Sequence, residues 1–306
     1  MATLITGYSG FVGRSLAPKL LAKGKRVYGL SRRVPETPVS GVVPLIGDVT
    51  KPSLGLKAVP ADIYSLYHLA AIRNLGPDRK GELWAANVEG TLNVIRFCIA
   101  NGIDHLFYTS TAYTNGRNAY ERSKALCELM VRESDIAQVT IFKPSIIMGS
   151  ADNYYDGHVS QFAKILIRVL RREELIRLSI EGALRLPPIR PLFRLVGKPN
   201  EVINLVGINE VVKAMAEIDR PGTYYLTNPN PPYIHQVVEW VGDFTMVHMT
   251  ISEEHYTPSL VELAFYKMAA AFQPYLYGDN FPSHIKSHPQ ITKVDIHDTL
   301  LKALAA

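Results

Sequence analysis

Eight residues near the start of the chain, Thr6-Gly7-Tyr8-Ser9-Gly10-Phe11-Val12-Gly13, restrict its fold more than any other stretch. Leu4 and Ile5 before them read as a short buried strand, and Phe11, Val12, Leu16, Leu20 and Leu21 recur at helical spacing. The glycines therefore occupy a strand-to-helix turn. Such a turn aims unpaired backbone N–H groups and the positive end of a helix dipole at one point, which suits a pyrophosphate. One glycine permits the tight turn, one lets the phosphate approach the backbone, and one lets helix and strand pack closely.

Strand and helix then alternate at short spacing. The first helix runs to about Lys23 and stops at Gly24, and a strand from Arg26 to Leu30 ends in Ser31-Arg32-Arg33. In a dinucleotide-binding unit the adenosine ribose is read here, an acid accepting from a 2′-hydroxyl and an arginine accommodating a 2′-phosphate. Two arginines and no acid predict NADP in preference to NAD. Val42 to Ile46 reads as a third buried strand, followed by Gly47-Asp48-Val49. Ile63 to Leu69 is a fourth, followed by Ala70-Ala71. A long helix from about Glu82 to Ala100, a strand from His105 to Ser110, a helix opening at Tyr120 and a strand from Val139 to Phe142 complete the series. The pattern predicts an α/β fold, a doubly wound parallel sheet of the Rossmann type through about residue 150, with the ligand at the carboxyl ends of the strands.

With 306 residues, 47% of them hydrophobic, the chain can bury a substantial core. Cys98 and Cys127 both lie in apolar, helix-patterned runs, so they read as buried thiols in a reducing compartment rather than a disulfide. The first strand leaves no room for a leader, and no apolar run reaches the roughly 18 residues that span a bilayer. A cytoplasmic protein is expected. The net charge of +5 is spread along the chain without the aromatic interleaving of a nucleic-acid platform, and a polyanionic small molecule accounts for it equally well.

Chemistry is concentrated at Tyr120 and Lys124. Four residues apart, they share one face of a helix, and an ammonium beside a phenol favours the phenolate. The pair is an acid/base unit for hydride transfer to a carbonyl, with Lys124 also reaching the nicotinamide ribose. Thr111, at the preceding strand end, is the hydroxyl chosen to orient the carbonyl oxygen, with Ser110 as runner-up. His68 reads as a packed or solvated histidine rather than a catalytic one. His284 and His288 have no third ligand and read as a surface pair rather than a zinc site.

Thr6 to Gly13 matches every position of the fingerprint Thr-Gly-x-x-Gly-x-x-Gly with Phe after the second glycine, and so resembles the extended short-chain dehydrogenases/reductases, the NAD-dependent epimerase/dehydratase superfamily. The resemblance implies that Asp48 and Val49 lie beside the adenine and that Leu69, Ala70 and Ala71 line the nicotinamide-side ribose and phosphates. It adds Asn87, Thr109, Lys143, Pro144, Ser145 and Ile146 to the cofactor set. Residues 151–306 are expected to form a smaller mixed α/β substrate lobe, partly interleaved with the NADP-binding domain of residues 1–150. The stretches Ser110 to Tyr113, Asn118 to Glu128 and Lys143 to Gly149 are similar to the fatty acyl reductase, male-sterility and thioester-reductase branch. That branch implies reduction of an acyl thioester on CoA or an acidic carrier protein, with the arginines at 168, 171, 172, 177, 185, 190 and 194 available to pair phosphates.

In the second half, Gln161 to Leu178 reads as helix and Leu186 to Pro199 as a proline-rich connection. Val202 to Leu205 and Thr223 to Thr227 read as strands, and 209–218, 233–242 and 258–272 as helices. The superfamily also suggests a homodimer through the helices at 82–100 and 119–133. Three function classes stand: an NADPH-dependent reductase of a carbonyl or acyl thioester, a nucleotide-sugar epimerase or dehydratase with retained NAD, and a non-catalytic cofactor sensor.

Overall fold

The computed structural model describes residues 2–149, 157, 159–162, 164–169 and 192–305. Its central sheet contains β1 (Ala2–Thr6), β2 (Arg26–Ser31), β3 (Val42–Ile46), β4 (Ile63–His68), β5 (His105–Thr109), β6 (Gln138–Pro144) and, after a long excursion, β10 (Gly222–Leu226). All seven are parallel, in the order β10-β6-β5-β4-β1-β2-β3. The chain builds outward from β1 to β3, then returns to lay β4 on the other side of β1. This reversal leaves a crevice at the carboxyl ends of β1 and β4.

Every residue of β1 is buried, as a strand covered on both faces requires. The expectation of a buried third strand is corrected: β3 is the sheet edge, with Val43, Pro44 and Ile46 exposed. Pro44 has no N–H to offer a further strand, which blunts that edge. On one face Leu4, Leu30, Leu66, Leu106 and Tyr108 pack in a single core with Val94, Phe97 and Cys98 of α2 (Gly90–Ala100) and Cys127 and Val131 of α3 (Ala119–Arg132). On the other face an aromatic ladder crosses four strands. Tyr67 stacks on Phe107 at 4.1 Å, Phe107 on Phe142 at 5.9 Å, and Phe142 meets Tyr224 of β10 at 6.4 Å. That face is covered by α1 (Phe11–Ala22) and α4 (Ile208–Glu217), the latter accepting a hydrogen bond from the Tyr67 hydroxyl at the Met215 carbonyl, 3.2 Å away.

The molecule divides into two compact units. One runs through Ser145 and takes in Ile208–Thr227 and Pro282–Lys286, so the returning helix and seventh strand belong to the sheet. The other gathers Ile146–Gly207, Asn228–Phe281 and the chain from Ser287 onward. In it β7 (Ile146–Met148) pairs with β9 (Leu205–Gly207) and β8 (Leu192–Val196) with β11 (His248–Ser252), beside α5 (Ile234–Thr245), α6 (Leu260–Ala269) and α7 (Lys293–Ala305). Of the expected connection over 186–199, the described part 192–199 opens with strand β8 (Leu192–Val196), and 159–169 is helical where described. The arginines at 171, 172, 177, 185 and 190 lie outside the described residues.

Candidate active site

The glycine turn is shaped by what its residues lack. Gly7 has φ +69°, and a Cβ on it would stand 2.7 Å from the Ala70 nitrogen; one on Gly13 would stand 2.6 Å from the Gly7 carbonyl oxygen. Neither position accepts a side chain. Helix α1 starts after Gly10 with no side-chain cap and no acid in its own first turn, so its positive end carries no acid of its own. Ser9 and Gly10 are exposed, and Phe11 and Val12 half-buried. At the end of β2 the Ser31 hydroxyl donates to the Arg33 carbonyl at 2.7 Å. The exposed Arg32 and Arg33 have no guanidinium partner among the described residues. A phosphate-bearing dinucleotide fits this cradle.

Thr6 ties the turn to the loop after β4. Its Oγ1 lies 2.7 Å from His68 Nδ1 and accepts from the Ala70 N–H at 3.4 Å, and its carbonyl accepts from the Leu69 N–H at 3.2 Å. His68 Nε2 is 3.1 Å from Thr91 Oγ1, and burial, with the Lys124 charge nearby, pushes this histidine down to about 3. It is a neutral, fully bonded core residue. Ala71 is exposed at the loop's outer end. One carboxylate oxygen of Asp48 accepts from the Thr50 N–H and hydroxyl, while Val49 is buried against Gly90.

Helix α3 is anchored at its start. The Asn118 side chain caps the Glu121 N–H at 2.9 Å, and the buried Glu121 holds Arg117 at 3.0 Å. Tyr120, half-buried, stands in this first turn and Lys124 one turn on. The Lys124 ammonium donates to the Thr109 carbonyl at 2.7 Å and lies 4.9 Å from the centre of the Tyr108 ring. Burial pushes it down to about 8, against the pull of Cys127 and Glu128. Thr111 is buried two residues past β5; its Oγ1 accepts from the Tyr113 N–H at 3.2 Å and faces the Pro144 carbonyl at 3.5 Å. Thr109 Oγ1 is buried and meets no hydrogen-bond partner in the protein among the described residues.

Several residues expected at the cofactor are committed to the protein. Tyr8 is buried on Gly29, its hydroxyl accepting from the Val39 N–H at 2.7 Å. Asn87 sits in a π-helical turn (Ala85–Glu89) between the turn Glu82–Trp84 and α2, and clamps Ile72 through both backbone groups at 2.7 and 2.9 Å while donating to Ser123. Lys143 is paired with Glu128 at 2.5 Å. Ser145 is buried at the end of the β6 segment, its N–H donating to the Leu226 carbonyl, and Ile146 opens β7 in the other unit. Arg194 is no free fork: it grips Glu262 through Nε and Nη2, each at 3.0 Å, over the Tyr256 ring. His284 accepts from the Tyr225 N–H and His288 from the Gly207 N–H, and no metal-binding cluster occurs among the described residues. Sequence reasoning assigned no role to Glu128, although its spacing from Tyr120 and Lys124 sets all three on one helix face.

The sequence model of the NAD dependent epimerase/dehydratase family matches residues 3–215. A 2-alkyl-3-oxoalkanoate reductase of Stenotrophomonas maltophilia (strain K279a) is 31% identical over 195 residues, 54% of this chain and 56% of that protein. One of Shewanella oneidensis is 28% identical over 207 residues, 58% of this chain and 50% of that protein. The chain spans about half the length of these relatives. A solved UDP-glucose 4-epimerase aligns with TM-score 0.63 over 98% of this chain and 96% of its own at 16% identity, a likeness of fold. The glycine cradle, the parallel sheet and a family match over most of the chain lead to one conclusion: the chain belongs to the NAD dependent epimerase/dehydratase family, nicotinamide-dinucleotide-binding enzymes of the extended short-chain dehydrogenase/reductase superfamily.

Proposed function

We propose that the protein is an NADPH-dependent reductase of a small-molecule carbonyl or acyl thioester, working in the cytoplasm. The observation that carries this reading is the Tyr120–Lys124 pair, set in the first turns of α3 with the ammonium buried on the Thr109 carbonyl and the Thr111 hydroxyl two residues beyond. The glycine turn and the start of α1 would hold the pyrophosphate, Arg32 and Arg33 the 2′-phosphate, Asp48 and Val49 the adenine side, Leu69 to Ala71 and Thr109 the nicotinamide side, and Lys124 the ribose. Bound there, the cofactor supplies the hydride. Thr111 fixes the direction of the carbonyl oxygen, and Tyr120 delivers the proton to it. The names of the reductase relatives support a ketone as the reducible group, and the branch resemblance supports a thioester on CoA or a carrier protein. Buried free thiols at Cys98 and Cys127 suit a reducing compartment, and no described helix is long and apolar enough to cross a membrane.

The test follows NADPH oxidation against 3-oxoacyl compounds, acyl-CoAs, carrier-bound thioesters and aldehydes, with nucleotide sugars as the competing class. Tyr120→Phe should keep the fold and most cofactor affinity while losing about 10²- to 10⁴-fold in turnover. Full turnover in that variant sinks the mechanism, and isomerisation of a nucleotide sugar without net NADPH consumption moves the protein to the epimerase reading.

A further inference from the structure

Glu128 extends the stripe of Tyr120 and Lys124 by one more turn of α3 and is buried. Its Oε1 accepts from the Ser110 hydroxyl and from the Lys143 ammonium, each at 2.5 Å, and its Oε2 stands 3.8 Å from Arg132. Lys143 also donates to Thr114 at 3.2 Å and lies 5.5 Å from the centre of the Tyr225 ring. One carboxylate thus joins α3 to the ends of β5 and β6. Ser110 directly precedes Thr111, and Lys143 directly precedes Pro144, whose carbonyl accepts from Ala112 at 2.8 Å and faces the Thr111 hydroxyl. Backbone on both sides of that hydroxyl is tied to the same ion pair. An apolar pair of equal volume would avoid the cost of desolvating two charges, so stability alone is a poor reason for this one.

We propose that Glu128 and Lys143 are positioning residues of the active site, Glu128 holding the strand end that carries Thr111 and presenting its negative charge to the Lys124 ammonium. The proposal rests on the reading of Thr111, Tyr120 and Lys124 as the catalytic set. The groups around Lys124 are His68 from β4, Tyr108 and the Thr109 carbonyl from β5, and Cys127 and Glu128 from α3. His68 is neutral, and Glu128 is the acidic side chain among them. Around Glu128 stand Ser110, Lys143, Arg132 and Tyr108, with Thr114 and Tyr225 reached through Lys143.

The test reads Lys124 without turnover. In protein carrying lysine labelled with ¹³C at the ε carbon, the Lys124 resonance is identified by its absence from Lys124→Met and titrated by NMR. The wild-type midpoint is expected near the buried ammonium's value of about 8. In Glu128→Gln it should fall by at least about half a pH unit, roughly threefold in the ionisation constant, while Lys143→Arg leaves it in place. Where the unpaired Lys143 prevents Glu128→Gln from folding, the neutral pair Glu128→Gln/Lys143→Met takes its place, with a fall again expected because Glu128, with Cys127, is one of the two groups that raise Lys124 against its burial. In kinetics, the alkaline limb of the kcat profile should move down by the same amount as the NMR midpoint. An unmoved midpoint in a folded variant overturns the positioning role and leaves the catalytic reading standing. Full turnover in Lys124→Met overturns the catalytic reading, and this proposal with it, whatever the midpoint does.

Discussion

A buried ammonium makes Lys124 a residue whose usefulness opposes stability. Its folded value of about 8 lies below the 10.5 of a free lysine, so between those limits the unfolded chain binds the proton more tightly than the folded one. The penalty is fully present below pH 8 and is relieved as the pH rises toward 10.5. Urea unfolding of Lys124→Met, which keeps the stem and removes the charge, should show higher stability at pH 7 and lack this share of the rise from pH 8 to 10; identical pH slopes would refute it. His68 acts in the acid range. Depressed to about 3, it favours the fold above the ordinary histidine value of 6.5, and that contribution is lost as the pH falls from 6.5 toward 3. His68→Gln should therefore flatten the acid limb of the stability curve. At the ribose end, Arg32→Ala/Arg33→Ala should narrow the preference for NADPH over NADH, since each charge-assisted bond to a phosphate contributes about 1.5–3 kcal/mol. Titration of both proteins with both cofactors decides it, and equal wild-type affinities would remove the case for NADP.

Elements differ in how much of them a sequence reveals. Glycine spacing marked the β1-to-α1 turn because its geometry tolerates no Cβ, and the same geometry makes a prediction. Gly13→Ala must push against the Gly7 carbonyl and the Tyr8 backbone rather than a flexible side chain, so it should cost about 1–3 kcal/mol in urea unfolding and abolish NADPH binding. Strands β1, β2, β4, β5 and β6 were legible to within one or two residues from apolar runs bounded by turns. The exposure of β3 was not, because an apolar edge strand and an apolar central strand read alike. The π turn holding Asn87 left no mark either: one extra residue in a helical turn is below the resolution of periodicity, and with it went the fact that Asn87 clamps Ile72. Likewise the partners of Lys143 and Arg194 come from residues 15 and 68 positions away, and no local pattern encodes such a meeting.

At the scale of the molecule, the piece least visible in advance was the return of the chain to the sheet. Thr223 to Thr227 reads as a strand, yet only its register against β6 and the meeting of Tyr224 with Phe142 identify it as the seventh. The outward faces of the helices around α2 and α3 raise a further question of assembly. Trp84, Ile99, Leu126 and Leu129 are 48%, 49%, 36% and 59% exposed on helices that otherwise bury their apolar side chains against the sheet. We propose that a second copy of the chain covers them, pairing the two helices with their mates about a two-fold axis so that each patch meets its own equivalent. Such a contact is apolar at its centre, so opposing carboxylates placed there would repel and demand hydration. Light scattering behind size-exclusion chromatography should give twice the chain mass of 34.0 kDa for the wild type. Leu126→Glu/Leu129→Glu should give the single chain mass, with the far-ultraviolet circular dichroism unchanged. A wild type that elutes at the mass of one chain across a hundredfold range of concentration would end the argument for the dimer, while leaving the site in its own unit untouched.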